Sequence, residues 1–307
     1  MHVQRFEDPA TWLARAMPLL AADEARHNLL FGITDTLINR PGMYLSAHLW
    51  LAMAGGAPAG AMLQTPPYNV LVARPRLDGA LEALAGAVIQ DSPETSGVGG
   101  GREEAEAFAA AWARLTGGAW RQRMAQGIYA CAAALPVPEA PGTSRIAGPE
   151  DFTAILPMLL AFSDEALIAE SVRDPDRIEE TTRTRLGDEP TAGGIWVWED
   201  RGRIVSISGH GGRTPSGIRI GPVYTPPEHR RRGYATNLVS AQTSWLLAGA
   251  VSTCFLYTDL TNPTSNAVYR RIGYQQVCEA VDLGFDPAPA PQPHSGGTGA
   301  ASAGITT

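Results

Sequence analysis

Apolar positions along the chain follow two periods, one near 3.6 residues and one of 2, and these alternate in a repeated order. In the second half, residues 152–160 and 163–185 read as helices. Residues 194–199 (GIWVWE), 203–210 and 218–225 then alternate as strands with turn residues between them. Residues 233–247 follow as a helix, with Ala235, Leu238, Val239, Leu246 and Gly249 near one face. A strand at 251–258, a helix at 263–272 and strands at 274–279 and 280–285 complete the series. The first half repeats the outline. Helices are expected at 9–20 and 22–38, and strands at 49–53, 59–64 and 69–72. Helices follow at 77–89 and 103–115, then strands at 120–123 and 128–132. The order helices, three strands, helix, strand, helix, strands thus occurs twice, a duplication of architecture rather than of residues.

Two tracts lack either period. PVPEAPGT (136–143) is Pro-rich and reads as a connection. Residues 286–307 are mostly Pro, Ala, Gly, Ser and Thr, too poor in large apolar side chains to offset the entropy of ordering. The expected organisation is therefore a first domain at 1–137, a linker at 138–143, a second domain at 144–285 and a disordered tail at 286–307. The glycine run GVGGG (97–101) reads as a flexible connection. The expected class is mixed α/β: two domains, each a twisted mixed sheet flanked by helices.

Composition narrows the function. The 307 residues are 44% hydrophobic and 18% charged, a globular balance, with a net charge of -7. That balance does not suit binding to nucleic-acid phosphates or to an anionic membrane surface. It suits a cationic small-molecule acceptor better. Cys131, Cys254 and Cys278 are too few and too scattered for a disulfide framework or a zinc site, and read as buried thiols. The six histidines form no ligand cluster, so no metal is expected. Residues 1–8 carry no signal-like apolar core, and no apolar run reaches the roughly 18 residues of a membrane span. These features fit a cytoplasmic protein. There is no Gly-x-Ser-x-Gly elbow and no Walker A sequence.

The chemistry concentrates in two stretches. The first, GPVYTPPEHRRRGYAT (221–236), begins as a strand that Pro226 and Pro227 stop. Arg230, Arg231, Arg232, Gly233, Tyr234, Ala235 and Thr236 then lead into the helix. A helix N-terminus presents unpaired backbone N–H groups at the positive end of its dipole, an anion site. Gly233 would let the backbone approach a phosphate. The second stretch, LYTDLTNPTSNAVYRRIGY (256–274), starts a helix at Asn262-Pro263 and ends it at Gly273. Asn266 and Tyr269 fall four and seven residues after Asn262, on the same face.

The Arg-x-x-Gly-x-Ala spacing at 230–235 resembles the acyl-CoA-binding signature of the GNAT superfamily of N-acetyltransferases. The second stretch resembles the segment that follows the fifth strand in that family. Together they cover the second domain. The resemblance implies acetyl-CoA as co-substrate, its pyrophosphate held by the 230–236 turn. It implies a pantetheine arm in the gap between two splayed strands, here 218–225 and 251–258, held by backbone N–H groups of Val223 or Tyr224. It further implies Asn262 and Asn266 near the CoA chain, and Tyr269 as the general acid that protonates the departing thiolate. An amine of a small molecule or of a peptide N-terminus would be the acceptor, and the protein a monomer or homodimer. For a general base the sequence offers His210, Glu165, Glu228 and His229, or water alone.

The corresponding stretch of the first domain, NVLVARPRLD (69–78), lacks the signature, so by the resemblance this copy is degenerate and shapes the acceptor site instead. Trp196 and Trp198 share one strand face and serve either core packing or an aromatic pocket wall. Two other readings are a non-catalytic acyl-CoA sensor and a nucleic-acid module built on Arg230–Arg232.

Overall fold

The structure is a computed structural model that describes residues 1–165, 174–187, 193–249 and 251–286. The expected tail, apart from Asp286, lies outside the described residues, as does part of the expected helix at 163–185. The first half runs β1 (His2–Phe6), α1 (Pro9–Leu20), α2 (Asn28–Asn39), β2 (His48–Ala54), β3 (Ala57–Gln64), β4 (Val70–Val72), α3 (Ala80–Asp91), β5 (Gly97–Gly101), α4 (Arg102–Thr116) and β6 (Ala119–Cys131). The second half repeats the order: β7 (Thr143–Ile146), α5 (Phe152–Glu165), α6 (Pro175–Gly187), β8 (Gly194–Asp200), β9 (Arg203–Arg213), β10 (Gly217–Tyr224), α7 (Tyr234–Gly249), β11 (Thr253–Asp259), α8 (Pro263–Ile272) and β12 (Gln275–Asp286).

Local chemistry explains the helix ends. Asp8 caps α1 by accepting the Thr11 N–H at 2.8 Å, with Pro9 at the first position. Asn262 caps α8 in the same way, through the Ser265 N–H at 3.1 Å. Gly273, at φ +112°, ends that helix in the left-handed conformation.

The expected mixed α/β class holds, but the two sheets are joined into one of twelve strands, in the order β1-β2-β3-β4-β5-β12-β6-β11-β10-β9-β8-β7. Each half gives its last strand to the other. β12 of the second half pairs with β5 of the first, and β6 of the first half pairs with β11 of the second. β6 and β12 also pair with each other, from Gln275 opposite Ala130 to Asp286 opposite Ala119. A boundary near residue 140 therefore divides the chain without dividing the sheet.

Three expectations need correction. Gly97–Gly101 is a buried strand rather than a flexible connection: it lies between β4 and β12, and a side chain at Gly100 would fall 2.8 Å from the Val72 carbonyl. The strand pairs expected at 120–132 and 274–285 are each a single long strand, carried past register shifts near Cys278 and Leu283. Residues 138–142 are not a free linker. The Pro138 carbonyl accepts from Asn237 at 3.0 Å, the Pro141 carbonyl accepts from Trp198 Nε1 at 2.8 Å, and Thr143 already belongs to β7.

Helices cover both sheet faces. In the second half, α7 and α8 bury Ile218, Ile220, Val239, Leu246, Cys254 and Leu256 on one side. On the other side, α5 and α6 bury Ile155, Met158, Ile195, Val197, Ile207 and Tyr224. Helix α2 of the first half also packs on this second side, against β9. Gly32 and Gly212 make the approach possible, since a side chain at Gly32 would fall 3.0 Å from the Gly212 Cα. Cys131 and Cys254 are buried and Cys278 is half-buried; all three are free thiols. Among the described residues, no helix is long and apolar enough to cross a membrane.

Candidate functional site

β10 and β11 run parallel and pair only at Gly217–Thr253, Ile218–Cys254 and Arg219–Phe255. Beyond Arg219 the ladder stops. β10 carries a bulge between Ile220 and Val223, where Pro222 has no N–H to donate. The strands therefore part at the place the sequence marked. Successive N–H groups along a strand point to alternate edges. One of Val223 and Tyr224 thus donates toward β9 while the other faces the open gap.

The chain after β10 forms a short 3₁₀ turn at Pro227–His229 and then passes exposed through Arg230, Arg231, Arg232 and Gly233. Arg231 and Gly233 both adopt positive φ, +64° and +84°. Gly is the residue that takes this conformation without steric cost, so the local geometry explains the glycine. The first backbone bond of α7 runs from the Asn237 N–H to the Gly233 carbonyl at 3.0 Å. Consequently six consecutive N–H groups, from Arg231 to Thr236, meet no acceptor among the described residues. They gather at a helix N-terminus, where the dipole favours an anion. A cavity of about 610 Å³ adjoins them, lined by Arg201, Arg203, His229, Arg232 and Tyr234 among others.

Side chains around the turn are engaged differently from the backbone. The Tyr234 ring is buried and its hydroxyl donates to Asp200 at 2.7 Å, which ties the helix start to the β8–β9 hairpin. Thr236 is buried and Ala235 half-buried. Arg230 turns back, donating to the Thr225 carbonyl at 2.8 Å and to Glu165 at 2.6 Å. The Tyr224 hydroxyl also donates to Glu165, at 2.9 Å. Arg230 and Tyr224 hold the Glu165 carboxyl below its usual range.

Tyr269 lies half-buried on α8, with its ring edge-on to Tyr274 at 6.1 Å. Burial pushes its phenol up to about 12. Its hydroxyl has no hydrogen-bond partner among the described residues. Asn262 and Asn266 serve the α8 turn itself. Asn262 is the cap described above, and the Asn266 amide donates to the carbonyls of Asp259 at 3.0 Å and Asn262 at 2.8 Å.

Two other sequence candidates fall elsewhere. His210 is fully buried and faces α7, with Nδ1 3.0 Å from Gln242 Nε2, on the opposite sheet face from α5 and α6. Trp196 and Trp198 pack under α7 with Val205, Tyr234 and Leu238, so they are core.

Across the sheet from α7, a cavity of about 260 Å³ opens between α5, α6 and the Pro222 bulge. Its lining includes Phe162, Arg177, Thr181, Arg185 and, from the first half, Tyr68. Sequence patterning missed this chamber, because it depends on a residue more than ninety positions from α6.

In the first half the chain ahead of the equivalent helix is tied down, although from Leu77 to Glu82 only the Ala80 N–H meets an acceptor among the described residues, the Leu77 carbonyl at 3.3 Å. The Ala73 and Arg76 N–H groups donate to β3 carbonyls at 2.9 and 2.7 Å, and the Arg74 N–H donates to His27 Nε2 at 3.0 Å. Pro75 has no N–H to offer. Beside it, β4 and β5 pair at Val70–Val98 and Leu71–Gly99, Gly100 lies close against the Val72 carbonyl, and Arg26 pairs with the buried Glu104 at 2.9 Å over the strand end.

Comparison with known proteins gives a consistent picture. Residues 209–281 match the family model described as FR47-like protein. No curated protein matches the chain. Among solved structures, a GCN5-related N-acetyltransferase from Sphaerobacter thermophilus is similar at 20% identity and a TM-score of 0.60, over 93% of this chain and 95% of that one. A tandem GNAT protein from the clavulanic acid biosynthesis pathway, solved without acetyl-CoA, is similar at 15% identity and a TM-score of 0.57, over 94% of this chain and 100% of that one. A GNAT-family acetyltransferase from Colwellia psychrerythraea is similar at 13% identity and a TM-score of 0.57, over 94% and 100%. The chain thus has the GNAT acetyltransferase fold in tandem, with an FR47-like segment in its second half.

Proposed function

We propose that the protein is an acyl-CoA-dependent N-acetyltransferase whose second half does the chemistry. The observation that carries this reading is the row of six N–H groups, from Arg231 to Thr236, that meet no acceptor among the described residues, next to strands that part after Arg219. A diphosphate offers the acceptors those donors need, and the gap between β10 and β11 suits an extended arm. Acetyl-CoA bound there supplies an activated thioester.

The residues of this chain then have distinct tasks. The 231–236 amides bind the diphosphate. Val223 or Tyr224 holds the arm through its N–H and polarises the thioester oxygen. A neutral amine from the chamber between α5 and α6 attacks the carbonyl carbon, so that a C–N bond forms and the C–S bond breaks. Tyr269 gives its hydroxyl proton to the sulfur, and the proton lost by the amine passes to water. A phenol raised to about 12 stays protonated at neutral pH, as a general acid must. Glu165 is already bound by Arg230 and Tyr224, and His210 lies behind the sheet, so neither is assigned as base.

The test is thiol release from acetyl-CoA across a panel of amines, with Tyr269→Phe in parallel. Turnover should fall at least about tenfold in the variant while CoA affinity survives. Unchanged turnover would remove Tyr269 from the mechanism. CoA binding with no turnover for any amine would favour a sensor.

A further inference from the structure

The chamber beside the strand gap has a basic floor. On β9, Gly209 and Gly211 point toward α5 and α6 and present no side chain there, because His210 between them faces α7. One guanidinium fills the vacated space, since side chains at Gly209 and Gly211 would fall 3.1 and 3.9 Å from Arg185 Nη1 and Nη2. A second, Arg219, lies next along the sheet under α2, where a side chain at Gly212 would fall 3.5 Å from its Nη2. Arg219 is the last β10 residue paired with β11, directly before the strands part. Its Nη1 is buried and has no hydrogen-bond partner among the described residues.

A third guanidinium closes the group. Arg177, at the start of α6, stands over the rings of Tyr44 and Tyr68, 4.9 and 5.4 Å from their centres. Burial raises the Tyr44 phenol, and the charges of Arg219, Arg177 and Arg185 all oppose that rise. Of the described residues lining the chamber, Asp174 carries the only carboxylate, and it caps α6 by accepting the Arg177 backbone N–H at 3.0 Å. Among the described residues, neither Arg177 nor Arg219 pairs with a carboxylate through its guanidinium.

The geometry points to an acceptor that is an amine carrying its own anionic group, bound by Arg219 and Arg177 over the glycine floor of β9. This rests on the acetyltransferase reading and specifies its substrate class. A buried guanidinium N–H without an acceptor is costly, and an incoming carboxylate or phosphate would satisfy it. It also places the substrate. An anion at Arg219 sits at the foot of the gap, so an amine a few bonds away reaches the thioester. The net acidic charge suggested a cationic acceptor; the local field of the chamber has the opposite sign, and it is the local field that a bound molecule meets.

The experiment compares thiol release from acetyl-CoA for amino carboxylates, amino phosphonates, uncharged amines and polyamines of similar size. The anionic amines should exceed the uncharged ones at least about tenfold in kcat/KM, and Arg219→Met should erase that preference mainly through KM. The ratio of carboxylate to phosphonate rates identifies which anion the floor takes. Acetyl-CoA affinity, read separately by calorimetry, should change less than about twofold in the variant. If Arg219→Met does not fold, Arg177→Gln should reduce the same preference. Faster turnover of uncharged or cationic amines, or a preference unmoved by both variants, overturns the inference and leaves the acetyltransferase reading intact. If acetyl-CoA binds but no amine turns over, an amino carboxylate and inorganic phosphate are titrated into the CoA complex. Binding lost in Arg219→Met supports the floor, and no binding overturns it. Failure to bind acetyl-CoA overturns both.

Discussion

The turn after β10 and the turn after β4 hold equivalent places in the two halves, yet the chain leading into each helix is held differently. After β10, the N–H groups of Arg231 to Thr236 gather at a helix start and meet no acceptor among the described residues. After β4, those of Ala73, Arg74 and Arg76 are consumed by β3 and by His27, and Pro75 contributes none. The strands beside each turn follow suit. β10 leaves β11 after Arg219, whereas Gly100 keeps β5 close against Val72. At the helix starts themselves the halves are alike, since between Leu77 and Glu82 only the Ala80 N–H meets an acceptor among the described residues; the difference lies in how tightly the chain before the helix is tied to the sheet.

The largest expected effect comes from breaking the closed half. Glu104→Gln leaves Arg26 without its buried partner and should cost about 3 kcal/mol of stability in denaturant unfolding. The acetyl-CoA KM of the surviving folded protein should stay unchanged. A rise in KM would show that the first half takes part in CoA binding.

The paired glycines sharpen the comparison. Gly233 and Gly79 precede equivalent helices with φ of +84° and +79°. Gly233→Val should cost about 2 kcal/mol in the turn, which would relax by misdirecting its amides and weaken CoA binding about thirtyfold. Gly79→Val should strain its turn similarly and leave CoA affinity alone. Equal losses of affinity in both variants would contradict the division of labour.

A smaller effect concerns His27. Burial lowers its pKa, and its two ring nitrogens meet the Leu20 carbonyl at 2.9 Å and the Arg74 N–H at 3.0 Å. The folded protein keeps this ring neutral while the unfolded chain takes up a proton below about pH 6.5. Stability should therefore decline as pH falls through 6.5, and His27→Gln should flatten that part of the Tm profile. The smallest effect is expected at Glu165, which engages Arg230 and Tyr224 beside the cleft. Glu165→Gln should alter the acetyl-CoA KM less than about threefold, the scale of an exposed ion pair. A larger rise would give the Glu165–Arg230 pair a direct part in binding.

What the sequence revealed was mostly local. Asn262-Pro263 and Gly273 announce the ends of α8 because caps act within a few residues, and Gly233 announces a positive-φ turn. The strand β5 was hidden because glycine carries no alternation and strand burial here depends on β12, some 180 positions away. β1 and β7 were hidden as short, largely polar edge strands. Strand exchange leaves no local trace at all. Arg219 alternates with Ile218 and Ile220 like any polar residue of a half-exposed strand; only α2, folded over that face from the other half, turns it into an inward charge.

The central claim is that only the second-half turn grips a diphosphate. Calorimetric titration of the full chain with acetyl-CoA tests it most directly, with Gly233→Val and Gly79→Val titrated alongside. The account predicts one site per chain, weakened in Gly233→Val and intact in Gly79→Val. Two equivalent sites, or binding that depends on Gly79 and ignores Gly233, would contradict it.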